Sequence, residues 1–363
     1  MSQDRGQARW QALWQSRGPK ARLLLPVALL YRALSAMRRS LYLAGWLKVE
    51  RMPVPVVVIG NVVVGGAGKT PTVLALIHHL QSQGWRPGVV SRGYGRKGIA
   101  PLEVRPDTPP EDSGDEPALI GREAGVPVFV ARRRADAAKA LLDAYPDVNI
   151  LLCDDGLQHL ALARDLAIAV FDDRGTGNGW LLPAGLLREA WPPHQHTAFA
   201  PDIVLQQTSK DTGALPQLGS HLPTFRAHRT LNPLAQNALG QTAPLKSLVH
   251  HQLAATAGIA RPEAFFEMLR HEGVSLSRTI ALPDHADAEA YVELVKHLKG
   301  PLLCTEKDAV KLFPLVRQND RPDDEARQVW SVRLNLAIEA GFFEAVDAHL
   351  ARLPARKTVR PSH

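Results

Sequence analysis

The chain has 363 residues, 45% apolar and 22% charged, which excludes a wholly disordered protein and suits two or three domains of ordinary size. Its two cysteines exclude a disulfide framework and a structural zinc site; Cys153 and Cys304 each end an apolar run and read as reduced core residues. The net charge of +7 is uneven: residues 1–51 hold ten basic and two acidic residues, whereas the other 312 hold 33 basic and 34 acidic. The basicity belongs to one segment, so no nucleic-acid partner is expected.

That first segment (1–51) is apolar as well as basic. Leu23 to Tyr31 is an unbroken apolar run, followed by Leu34, Met37, Leu41, Leu43, Trp46 and Leu47. Arg32, Arg38 and Arg39 interrupt it, so no stretch reaches the roughly 18 residues that span a bilayer. Pro26 within the run argues against a cleaved signal. Cations beside Trp10, Trp14 and Trp46 on interrupted helices describe an amphipathic segment lying on an anionic membrane surface. The plainer alternative is a basic helix packed on the protein.

From residue 52 strands and helices alternate. VPVVVIG (54–60) reads as a buried parallel strand, followed by a Gly-rich turn and a helix from about Thr70 to Gln83 that stops at Gly84. PGVVS (87–91) is a second strand. Residues 92–117, rich in Arg, Gly and Pro, read as a long functional or disordered loop. A helix over 132–144 and strands over 148–153, 165–171 and 201–207 complete this unit (52–207). Residues 208–250 read as a polar linker. A second α/β unit (251–325) follows, with strands 253–259, 278–282 and 301–304 and helices 262–273 and 287–299. QVWSVRLNLAI (328–338), in the last segment (326–363) before a C-terminal helix, is expected to pair with PTFRAHRT (223–230) as a ribbon joining the units.

The strongest motif is GGAGKTP (65–71), directly after a strand and before a helix, the context of a phosphate-binding loop. The loop from Val63 and Val64 through Gly65, Gly66, Ala67 and Gly68 would offer backbone N–H groups to ATP phosphates, with Lys69 reaching the β- and γ-phosphates. The Thr70 hydroxyl would ligate Mg²⁺. Val63 replaces the first glycine of the stricter motif, and Val64 stands where many deviant Walker-type ATPases carry a second lysine. The GGxGKT form makes a membrane-tethered regulatory ATPase of that type the competing reading, and Val64 and the second α/β unit speak against it. Asp154 and Asp155, ending the strand 148–153, are the candidate Mg²⁺ carboxylates. Asp172 and Asp173 end the strand 165–171 in the same way and compete with them. The fold class is thus a P-loop NTPase-like, mostly parallel α/β sheet with a second, smaller α/β domain and an N-terminal amphipathic membrane-associated helical segment.

GNVVVGGAGKTP (60–71), VVSRGYGR (89–96), SGDEP (113–117), CDDGLQH (153–159), PAGLLRE (183–189), PDH (283–285) and TEKDAVKL (305–312) occur in this order. Over about residues 20–350 this string resembles the tetraacyldisaccharide 4'-kinase family, the lipid A 4'-kinases. The resemblance implies a peripheral enzyme on the cytoplasmic face of the inner membrane. Its glycolipid substrate would be a tetraacyldisaccharide 1-phosphate, phosphorylated at the 4'-hydroxyl by ATP to give the bis-phosphorylated lipid A precursor, lipid IVA. The resemblance also implies that the SGDEP aspartate, Asp115, is the base and that His285 of PDH is its partner from the second domain, brought together by domain closure. Glu116 could exchange roles with Asp115. For a substrate rich in phosphate and hydroxyls, Asn61, Arg92, Tyr94, Gln158, His159, Arg188 and Glu189 are the candidate binders, with Arg134 a further one by family position. Three local readings are plainer: Ser113 and Glu116 as a capping box, Asp284 capping the helix after it, and Thr305 capping with Asp308 at the third position.

Overall fold

A strand that is β-branched on both faces must be covered on both sides, and β1 (Val56–Asn61) is buried at every position. In the computed structural model of the chain, residues 10, 12–65, 68–96, 98–193, 199–208, 217–248, 253–284, 286–298, 300–317 and 328–354 are described. Strand β1 is flanked by β5 (Ile150–Asp154) and β6 (Leu166–Phe171), both parallel to it. Outward from β5 lie β2 (Pro87–Ser91), β4 (Val128–Val130) and the short antiparallel edge strand β3 (Leu102–Glu103). Outward from β6 lie β7 (Ile203–Thr208) and β8 (Thr224–Asn237), with β9 (Thr242–Pro244) hydrogen-bonded to β8.

The sheet does not stop there. Strand β8 pairs antiparallel with β13 (Val329–Ile338), which runs parallel to β12 (Leu302–Thr305). The sheet then ends through β10 (Ala254–Ala257) and β11 (Arg278–Ala281). The expected ribbon is present, but it is longer than predicted, with Trp330 opposite Asn237 and Ile338 opposite Ala227. The stretch 208–250, expected as a linker, therefore contains the 14-residue strand β8. Both α/β patterns are halves of one sheet.

The helices are α1 (Pro19–Leu23), α2 (Leu25–Leu43), α3 (Lys69–Ser82), α4 (Pro110–Ser113), α5 (Asp115–Glu123), α6 (Arg134–Ala144), α7 (Pro262–His271), α8 (Ala288–Lys296), α9 (Glu306–Val316) and α10 (Ala340–Ala351). On one face of the first half, Val57, Ile59, Val89 and Leu152 pack with Val73 and Ile77 of α3 and with Phe342 and Val346 of α10. The other face carries Val56, Val58 and Leu151 against Ala138 and Leu141 of α6. The second half repeats the scheme, with Phe265, Phe266 and Leu269 of α7 on one face and Tyr291 of α8 and Leu312 of α9 on the other. Both cysteines are buried thiols, as expected.

Three local expectations are corrected. The stretch 92–117 is not an uncovered loop, because it holds β3, α4 and the start of α5. No capping box forms at Ser113–Glu116: the N-cap of α5 is Gly114 at φ 89°, and the Ser113 hydroxyl donates to the carbonyls of Pro109 and Gly114. Only glycine holds that backbone region without strain. Asp284 does not cap α8 either; Asp287 does, accepting from the Ala290 amide. The cap of α9 is as expected, Thr305 accepting from the Asp308 amide.

Candidate active site

The carboxyl ends of parallel strands are the ligand side of such a sheet, most of all where neighbouring strands lead their connections apart. Strand β1 and its neighbours β5 and β6 make that point here. The chain leaves β1 at Asn61, whose side chain is buried and donates to the Gly65 carbonyl. Val63 bridges to Leu187, and the Val64 amide donates to the Leu186 carbonyl. Asn61 and the two valines therefore brace the loop, and the Val64 amide predicted to face phosphate is already taken. Gly65 (φ 90°) and Gly68 (φ 77°) make the turn. A Cβ on Gly68 would lie 1.9 Å from Gln207 Oε1, and Gln207 Nε2 donates to the Gly68 carbonyl and the Thr72 hydroxyl. Gln207, on β7, was not singled out from the sequence. Gly66 and Ala67 lie outside the described residues.

Lys69 and Thr70 open α3, both buried. Lys69 Nζ is 3.3 Å from Asp155 Oδ1. Burial disfavours its charge, but Glu116, Asp155 and Asp154 outweigh that and raise its pKa. Asp154 is fully buried and its Oδ1 has no partner. Burial, then repulsion from Glu116, pushes its pKa up to about 7 against the pull of Lys69. Burial also opposes ionisation of Asp155, but Lys69, Arg188 and Arg134 win, and its pKa is lowered. Asp155 sits at φ 49°, an uncommon backbone for a non-glycine, where its carbonyl accepts from Arg134. Arg134, buried at the start of α6, thus shapes the carboxylate pair. Among the described residues no group of three His, Cys, Asp or Glu could hold a metal alone. Still, an orphaned buried carboxylate oxygen, Asp155 and the Thr70 hydroxyl are the hard oxygen donors that suit Mg²⁺, which draws the rest of its shell from water and phosphate.

The competing pair is spoken for. Asp172 lies 2.9 Å from Arg174 and 3.7 Å from Arg261, and Asp173 lies 3.6 Å from Arg261. These aspartates tie β6 to the second half of the sheet.

A cavity of about 980 Å³ lies over the strand ends. Its wall includes Lys69, Thr70, Asp154 and Asp155; Asp115 and Glu116 from α5; and the predicted Arg92, Tyr94, Gln158, His159 and Arg188. Asn61, Val63 and Glu189 are not in the wall. Glu189 instead holds Gln158 at 2.8 Å and Arg39 at 2.5 Å. Arg188 reaches Asp155 at 3.3 Å and the Gln158 side-chain oxygen at 3.4 Å. Burial and four nearby arginines push the His159 pKa down to about 4, so its imidazole is neutral at physiological pH.

The second half contributes Asp284, Thr305, Glu306, Lys307 and Arg261 to the same cavity. His285 lies outside the described residues, but its neighbours do not: Asp284 pairs with Lys307 at 2.8 Å, and the Ala286 carbonyl accepts from Lys311. Lys311 also pairs with Asp115 at 2.8 Å. TEKDAVKL, read from the sequence as a capped helix, thus also sends two lysines toward the site. Their spacing of one helical turn was the available signal. Helix α2 closes the remaining side: Tyr31 donates to the Arg188 carbonyl and Arg38 to the Gln158 carbonyl.

The model of the LpxK family, tetraacyldisaccharide-1-P 4'-kinase, matches residues 20–351. The tetraacyldisaccharide 4'-kinase of Polaromonas naphthalenivorans is 50% identical over 343 residues, 94% of each chain. That of Acidovorax sp. is 51% identical over 346 residues, 95% of each. Among solved structures, the "apo" form of LpxK from Aquifex aeolicus in complex with ATP superposes with a TM-score of 0.73 at 28% identity, covering 91% of this chain and 99% of that one. With a phosphate-binding loop, a carboxylate pair beside it and these relatives over nearly its whole length, the chain belongs to the tetraacyldisaccharide 4'-kinase family and is a phosphotransferase that uses ATP.

Proposed function

We propose that the chain transfers the γ-phosphoryl group of ATP to the 4'-hydroxyl of tetraacyldisaccharide 1-phosphate, with Asp115 as the base and His285 as its partner. The observation that carries this reading is that Asp115 opens into the same cavity as Lys69, Thr70, Asp154 and Asp155. Phosphoryl transfer asks for positioning and for neutralisation of spread negative charge more than for covalent chemistry. The amides at the start of α3 and the charge retained on Lys69 suit the ATP phosphates. Thr70, Asp154 and Asp155 would hold Mg²⁺, which supplies charge neutralisation on the phosphate oxygens. Asp115 accepts the 4'-hydroxyl proton as the oxygen–phosphorus bond forms and the bond to the β-phosphate oxygen breaks. His285, next in the chain to Asp284, shares that proton. Arg188, held by Asp155 and Gln158, offers a guanidinium to phosphate oxygens.

The finer proposal on location rests on α2. Val27, Leu30, Leu34 and Met37 of α2, three or four residues apart, are all exposed, as is Leu23 at the end of α1, while Ala28 and Tyr31 on the other side of α2 face the protein. An apolar stripe flanked by Arg22, Arg32 and the other cations suits an anionic lipid surface, which is also where a tetraacylated acceptor resides. Among the described residues no helix is long and apolar enough to cross a membrane.

The test is transfer of labelled phosphate from ATP with Mg²⁺ to detergent-dispersed tetraacyldisaccharide 1-phosphate. Wild type should yield the bis-phosphorylated lipid. Lys69→Ala should lose transfer, and Asp115→Asn should lower turnover by roughly 10²–10⁴-fold with little change in ATP affinity. No transfer by wild type, with ATP hydrolysis rising on liposomes, would replace this reading by the membrane-tethered ATPase.

A further inference from the structure

Lys311 lies on α9, one turn after Lys307, and its ammonium has three protons to give. It donates to Asp115 Oδ2 at 2.9 Å and to the Ala286 carbonyl at 2.8 Å, and it lies 2.8 Å from Asp115 Oδ1. One cation therefore grips the carboxylate of α5 in the first half of the sheet and the backbone next to His285 in the second. Its own seat is firm. Nζ lies 5.6 Å from the centre of the Tyr291 ring. The Tyr291 hydroxyl donates to Asp308 Oδ1 at 2.6 Å, and that oxygen also accepts from the Gly258 amide at 2.8 Å. Beside the ion pair, whose side chains are 13% and 8% exposed, Val310 of α9 packs on Ala118 and Leu119 of α5. Asp115 lines the cavity and Lys311 does not.

We infer that Lys311 is a positioning residue for the phosphoryl transfer: it pairs with Asp115 and sets its place relative to the segment carrying His285. This inference rests on Asp115 being the base. A buried carboxylate without its cation loses both its favoured charge state and its orientation. A displacement of about 1 Å at a reacting group costs on the order of 10²-fold in rate.

The test compares Lys311→Met, Lys311→Gln and Asp115→Asn with wild type, measuring kcat, the KM for ATP and the KM for the detergent-dispersed lipid acceptor, with a thermal melt of each. Lys311→Met should lower kcat about 10²-fold with both KM values within about twofold of wild type. Lys311→Gln, which keeps a donor but no charge, should fall between. A folded Lys311→Met with wild-type kcat, or a loss confined to KM, overturns the inference. Under that result, an inactive Asp115→Asn leaves the base assignment standing, and an active one removes that assignment as well. If Lys311→Met does not fold, Lys311→Gln carries the same split. If neither folds, Lys311 is a stability residue and the inference falls.

Discussion

Asp154 and Asp172 both end buried parallel strands, and their neighbours set them to opposite tasks. Asp154 keeps a bare oxygen and a pKa near 7 because burial and Glu116 both resist its charge. Burial resists the charge of Asp172 too, but Arg174 and Arg261 overcome it and its pKa is lowered. A carboxyl with a depressed folded-state pKa adds stability above its ordinary range, and that stability is lost as pH falls through the folded value. Asp172→Asn should therefore destabilise the protein by roughly 3 kcal/mol at neutral pH, as breaking a buried pair does. In urea unfolding the difference from wild type should shrink on acidification below the usual aspartate range. A pH-independent difference would mean that the aspartate's shape matters and its charge does not. Both aspartate pairs were visible in the sequence, but what separates them was not, because Arg261 lies 89 residues beyond Asp172 in the chain. Gln207 escaped for the same reason, its partners lying across the sheet, and the one-turn spacing of Lys307 and Lys311 put them on one face of a helix without naming the partner they meet.

At the level of elements, strong periodic signals were legible and interrupted ones were not. Helix α3, strand β2 and the ends of β5 and β6 lie within a residue or two of their predicted places. Helix α5 was hidden because Pro117 and Gly121 break its pattern, although proline is tolerated in the first turn of a helix. Strand β4 is three residues between Pro127 and a run of arginines, too short to show alternation. Strand β8 was read only as far as residue 230, and 231–237 looked like linker because four of those seven residues face solvent or are half-buried. Helix α2 carries the element-scale prediction. Each large apolar side chain on its outer stripe is worth roughly 1.5–3 kcal/mol when fully buried. Leu30→Asp with Leu34→Asp should therefore lower sedimentation with anionic vesicles at least tenfold, while transfer to detergent-dispersed acceptor falls much less. Unchanged vesicle binding would return α2 to the plainer role of a helix packed on the protein.

Across the whole molecule, the cavity is lined by residues from both halves of the one sheet. Their cores are separate, and besides the shared strands and the Lys311–Asp115 and Arg261–Asp172 pairs they meet at the Val310–Ala118–Leu119 contact and at Arg333, which lies 2.9 Å from Glu123 of α5 and 3.4 Å from Glu306 of α9. Burial and Glu123 push the Glu306 pKa up to about 7, so this seam carries little spare charge at neutral pH. Val310→Asp would put an unpaired carboxylate into the apolar contact, at a cost of a few kcal/mol. Since Lys69, Thr70 and the carboxylate pair all belong to the first half, ATP affinity should change only a few-fold while turnover falls on the order of 10²-fold. Parallel loss of both, in nucleotide titration and transfer assays, would show that the nucleotide site itself depends on the seam.

Strand β8 has residues 224–228 paired in parallel with β7 and residues 227–237 paired antiparallel with β13, so its middle serves both halves at once. A protein whose halves are joined by a loose tether can swing; one whose halves share a hydrogen-bonded strand has to twist. The register shift between Val332 and Leu334 marks where such a ribbon yields, because a bulge bends its strand and adds local twist. The ribbon is in this sense a torsion spring with one rest angle. Any parting of the cavity walls that carry Lys69 on one side and Asp284 and Lys307 on the other would have to work against its torque.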